Sequence, residues 1–142
     1  MNRSQLILTL IFSLTMSTVF GQGLTEKQKE KEKVKVELFS SEEKDNLQYW
    51  FQEEIKKFGF TEEEQSNYQN TLLMYSGKMM RLDDKDQGLS KDEILKKLEE
   101  LSQKFSSDVK SQLNETQFQM HNELMDVLKK SVSKKLLEKL KD

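Results

Sequence analysis

Residues 61–82 read TEEEQSNYQNTLLMYSGKMMRL, and their spacing decides the fold. Tyr68, Leu72, Tyr75, Met79 and Leu82 recur at intervals of 4, 3, 4 and 3. That is the apolar seam of a helix, not the period-two alternation of a strand. Thr61-Glu62-Glu63-Glu64 in front of it is a capping box, with Phe60 in the staple position.

The same grammar extends in both directions. Upstream, Ser40 and Ser41 offer N-caps, and Leu47, Trp50, Phe51, Ile55 and Phe58 mark one stripe that Gly59 ends. Downstream, Ser90-Lys91-Asp92-Glu93 is a second capping box, followed by Ile94, Leu98, Leu101, Phe105 and Val109. Asn114-Glu115-Thr116-Gln117 reads as a third helix start, and this also accounts for a triplet that has the form of an N-glycosylation acceptor. The last helix carries Phe118, His121, Met125, Leu128, Val132 and Leu136. The one alternating stretch, Val34-Lys35-Val36-Glu37-Leu38, is short for a strand. The expectation is an all-α domain over residues 40–142, with about four helices in antiparallel hairpins forming a thin bundle or cradle. Helices of roughly 20 residues run about 30 Å. A core that thin is compatible with a homodimer through the long helices.

Two segments precede that domain. Residues 1–21 have Arg3 as their only charge, an uncharged run from Leu6 to Phe20, and Val19-Phe20-Gly21 before Gln22. This is the order of a secretory signal cut near Gly21/Gln22, and it predicts a periplasmic or secreted protein. Its loss takes the formal net charge of the 142-residue chain from −2 to −3. Residues 22–39 are a polar arm with Lys27-Gln28-Lys29-Glu30-Lys31-Glu32-Lys33, expected to be mobile or partly helical.

Composition removes whole classes of chemistry. The chain has no Cys, no Pro and a single His. Disulfides, thiol catalysis, Cys-type zinc sites and lipid-modified cysteines are therefore excluded. His121 lies on an apolar seam, where packing is the expected role, and no nucleophile-elbow motif accompanies it. The turn from Asp83 to Glu93 fails an EF-hand test. With Gly88 at position 6, Lys85 and Gln87 fall where carboxylates are needed and Glu93 arrives one residue early. No enzyme activity and no cofactor are expected. The tail from Lys129 to Asp142 has a local charge of +4 interleaved with Leu136, Leu137 and Leu140. On an exported chain this predicts weak contact with an acidic protein, a membrane surface or envelope glycans, and no nucleic acid.

Leu24-Thr25-Glu26-Lys27-Gln28 and Leu113-Asn114-Glu115-Thr116-Gln117 complete the reading. With the export signal, the small size, the charge and the Met content, they resemble the Leu-Thr-x-x-Gln motifs of the Spy/CpxP group of bacterial periplasmic stress proteins. The first match is full, and the second has Asn in place of Thr. The motif residues here are Leu24, Thr25, Gln28, Leu113, Asn114 and Gln117. The resemblance implies an ATP-independent periplasmic chaperone or envelope-stress protein whose concave face holds unfolded clients. The client-binding candidates it implies are Met79, Met80, Arg81, Phe105, Phe118, Met120 and Met125. Two other readings stand beside it: a structural adaptor for a fixed envelope partner, and a metal-responsive helical protein. The thioethers lack the clustered Met-x-Met pattern that a soft metal favours.

Overall fold

The computed structural model describes residues 24–139. The signal segment expected over residues 1–21, and Leu140, Lys141 and Asp142 of the basic tail, lie outside the described residues. Among the described residues there are five helices and no strand: α1 (Glu26–Val34), α2 (Ser41–Lys56), α3 (Glu62–Met80), α4 (Lys91–Lys110) and α5 (Glu115–Lys139). The all-α expectation holds. The count exceeds four because part of the polar arm is helical. No helix among the described residues is long and apolar enough to cross a membrane.

One device starts every helix. Thr25, Ser40, Thr61 and Ser90 each accept the backbone N–H of the third residue on, and Gln28, Glu43, Glu64 and Glu93 reach back to the cap's own N–H. At α5 the partners are Asn114 and Gln117, at 2.8 and 3.0 Å. Each box satisfies two N–H groups that a bare helix end would leave without partners. A chain without Ala or Pro thus sets its helix starts locally.

The chain divides into two units between Lys35 and Val36. The first contains α1, which buries none of its residues. It is held by its cap and by side-chain pairs such as Lys29 with Glu26 at 2.9 Å. The division falls before the end of the polar arm because Leu38 and Phe39 are buried in the core of the second unit.

That core is built by α3, α4 and α5, with α2 and residues 36–40 packed against them. Glu99 early in α4 meets Lys129 late in α5 at 3.1 Å, and Ser106 late in α4 meets His121 early in α5, so these two helices are antiparallel. Every apolar seam residue quoted above from α3 is buried, as are Ile94, Leu98, Phe105 and Val109 of α4 and His121, Met125, Leu128, Val132 and Leu136 of α5. Gly59 and Gly88 have φ of +69° and +59°, the left-handed conformation that ends α2 and turns the chain into α4.

Residues 36–40 form a strap without regular secondary structure, bent at Phe39. Asp84 is buried in the α3–α4 turn; it accepts the Val36 N–H at 3.0 Å and is paired with Arg81. At the other side, Lys139 donates to the Glu37 carbonyl at 2.6 Å, Lys44 pairs with Glu37, and Lys135 pairs with Glu43. The Lys135 ammonium also stands 6.0 Å from the centre of the Phe39 ring. The Asp83–Glu93 turn therefore spends its most buried carboxylate on the strap. The Asp84→Ala substitution leaves the Val36 N–H and the Arg81 guanidinium without that partner. Urea unfolding is expected to show a loss of about 1–3 kcal/mol; a loss below about 0.5 kcal/mol, typical of a neutral surface change, would refute the role of the latch.

Candidate functional site

Two places on the second unit concentrate unusual chemistry, one buried and one open. The buried one is centred on His121, which is fully enclosed at 0% exposure. Its Nδ1 shares a hydrogen bond with the Tyr68 hydroxyl of α3 at 2.8 Å, and its Nε2 shares one with the Ser106 hydroxyl of α4 at 2.9 Å. A neutral imidazole donates from one nitrogen and accepts at the other, so the two hydroxyls satisfy it in either tautomer. The ring meets Phe105 and Tyr68 edge to face at 4.7 and 5.8 Å, and lies nearly parallel to Phe118 at 6.0 Å. Phe58 and Phe60 extend the cluster onto Tyr68, and Tyr75 stacks on Phe105 at 5.0 Å.

Burial pushes the His121 pKa down to about 4, and it raises the Tyr68 hydroxyl well above the ordinary tyrosine range. Tyr75 is pushed up to about 12, first by burial and then by donating to the Asp108 carboxylate. A serine within reach of a histidine that a third residue orients has the outline of a nucleophile and its base. Here the third group is a neutral tyrosine, the imidazole is a weak base, and the serine lies inside a continuous helix. The sequence marked His121 as a packed residue. It held no signal for Tyr68 and Ser106 as partners, because they lie 53 and 15 residues away in the chain.

The open place is a groove of about 690 Å³ between α4 and α5. Leu95, Leu98 and Leu137 form its apolar strip, with Leu137 37% exposed. Lys129, Lys130 and Lys134 line it together with Glu99, Asp126 and Glu138. Glu99 is held below the usual carboxylate range by hydrogen bonds from Lys129 and Gln103. The basic, leucine-bearing tail pointed to this region, but the sequence alone did not show that α4 supplies its other wall.

The seven candidate residues do not come together on one surface. Met79 and Phe105 are 0% exposed and Met125 is 2% exposed, so all three belong to the core and not to a client-facing surface. Arg81 is engaged by Asp84. Met80, Phe118 and Met120 are half-buried. Phe118 sits beside His121, level with Tyr68, whereas Met80 lies twelve residues farther along α3, roughly 18 Å at the helical rise. Seam position does not say how deeply a side chain is covered, so residues alike in type differ here in exposure.

The motif residues do have a visible role. Thr25 with Gln28, and Asn114 with Gln117, are the reciprocal caps of α1 and α5. Gln117 also donates through Nε2 to the Phe58 carbonyl at 2.9 Å, fastening the end of the α2 segment to the start of α5. Leu113 is packed against the core. Among the described residues no three His, Asp or Glu side chains are grouped as a metal site. Comparison with protein-family models, curated proteins and solved structures found no match.

Tyr68→Phe removes one hydrogen-bond partner of His121 and keeps the ring. Thermal and chemical unfolding at pH 7 are expected to show a loss of about 1–3 kcal/mol. An unchanged stability would mean that the hydroxyl contributes nothing to holding the ring.

Proposed function

We propose that this chain is a small exported helical binding protein that holds segments of other proteins by mixed apolar and charged contact, without using ATP. The observation that carries this reading is the α4–α5 groove, where exposed Leu137 and half-buried Leu95 lie over buried Leu98 and are flanked by three lysines and three carboxylates. Such a surface suits partially unfolded clients, whose exposed stretches mix apolar and charged side chains. The groove carries no excess of either charge, which favours protein over nucleic acid. The sequence resemblance to periplasmic stress chaperones points the same way, as does the leader-like segment at residues 1–21. Pairing of two chains along α4 and α5 would lengthen the same surface, and we include a homodimer in the proposal.

A second reading has its own support. The candidate residues Met79, Phe105 and Met125 are sealed inside the bundle, and a bundle whose core is closed suits a dedicated adaptor with a fixed envelope partner.

Light scattering from a heat-unfolding client enzyme, with the chain in excess at pH 7, tests the first reading. Suppressed aggregation is expected. Leu137→Asp, at an exposed position, is expected to weaken client binding about tenfold, the scale of one interface anchor. No protection by the wild-type chain, or full protection by the variant, would remove the groove from client holding. A single partner captured in one-to-one ratio would favour the adaptor.

A further inference from the structure

We propose that His121 is an acid-sensitive latch joining α3, α4 and α5, and that its protonation opens the aromatic cluster around it as an additional binding surface. The use of that surface rests on the binding-protein reading above; the latch itself does not.

A proton on this ring changes what its partners must do. The imidazolium must donate from both nitrogens, so the Tyr68 and Ser106 oxygens must both accept. Ser106 is half-exposed and can turn its own proton to water. Tyr68 is buried, and its hydroxyl has no other partner among the described residues, so its proton is stranded. The added charge would also lie in a site with 0% exposure.

The surroundings offer it little. From α3 the ring faces Tyr68, and from α4 it faces Phe105 and Ser106. From α5 it faces Phe118, whose ring also has the Lys110 ammonium 5.7 Å from its centre. The segment after α2 brings Phe58 and Phe60 to Tyr68, and neither titrates. Asp108 of α4 is already taken by the Tyr75 hydroxyl. Among the described residues no carboxylate hydrogen-bonds to the imidazole.

Relief requires that the ring reach water. Its two hydrogen bonds and its aromatic contacts are what tie the first turns of α5 to α3 and α4. Freeing it therefore uncovers Tyr68 and Phe105 beside the already half-exposed Phe118. A closed bundle could in this way present Phe105, which is inaccessible at neutral pH.

The sign and window follow from the folded ring resisting its proton. The folded pKa is about 4 against an ordinary value of 6.5. The stabilising effect of the neutral ring is complete above about pH 6.5 and is lost as the pH falls toward 4. Glu43, Glu93 and Glu99 are held below 4.5, so their contributions are lost only at lower pH. Between pH 7 and pH 5 the opening equilibrium is expected to rise about 20-fold from this one group.

The test uses the chain without affinity histidines, so that His121 gives the only imidazole signal. Amide exchange over residues 115–125, corrected for intrinsic rates, is read at pH 7 and pH 5 beside the NMR titration of the ring. Expected are a roughly 20-fold rise in opening, a ring midpoint well below 6.5, and no rise in His121→Phe. Opening that is flat in the wild type, or that rises equally in His121→Phe, would overturn the latch. Should the variant not fold, the wild-type ring decides: a midpoint near 6.5 with unchanged exchange overturns the proposal. Client binding is then compared at the two pH values. Binding absent at both, with the latch working, defeats only the binding reading. Binding that is present while opening stays flat defeats only the latch.

Discussion

Tyr68, Phe105 and His121 come from three helices, and their contact is the constraint on which the rest of the second unit depends. Each ring is buried, and the imidazole is satisfied by hydroxyls from the two helices facing it. A leucine in place of His121 could supply apolar area, but it could not orient α5 by two directional bonds. The position therefore combines packing with register. That combination also makes it sensitive to a single proton, because a satisfied neutral group becomes an unsatisfied charged one without any change in shape.

Away from that junction the structure uses short-range and charge-based fastenings. Among the described residues reciprocal caps begin all five helices, and the strap at residues 36–40 is held by Asp84, Lys44 and Lys139, with the Lys135 ammonium beside the Phe39 ring. The two kinds of fastening differ in reach. A capping box is complete within four residues and forms wherever the chain turns helical. Apart from the short-range Lys44–Glu37 pair, the contacts of the strap and of Glu43 beside it join positions 48 to 102 residues apart and exist only once the helices have packed. Salt is expected to weaken the exposed lysine contacts more than the buried Asp84 hydrogen bond, since screening acts chiefly on solvated charge.

For function, the important distinction is between apolar residues that the fold uses and those it leaves available. Methionine and phenylalanine at seam positions looked suited to holding clients, yet Met79, Phe105 and Met125 fill the core. Among what stays open are Tyr49 and Met74 and the groove between α4 and α5, where leucine and both signs of charge lie within reach of one partner. The buried cluster and the open groove thus divide the apolar content between holding the bundle together and offering a surface, with His121 placed where that division could shift.

The sequence by itself determined the helical class, the seams of α2 to α5 and the positions of their starts. Those are set by interactions within one or two turns: 3.6-residue periodicity, side-chain caps, and glycines at positive φ. It left the polar arm as mobile or partly helical, since α1 has no buried face and so no apolar period to fix its extent, although Thr25 and Gln28 mark its start. It placed Leu38 and Phe39 in that arm, although they belong to the core. It also marked His121 as packed while giving no hint of Tyr68 or Ser106. Only the tertiary structure decided which seam residues are sealed, which wall completes the groove, and which distant groups share a proton. Burial and hydrogen bonding between helices depend on how whole helices pack, and local spacing does not encode that.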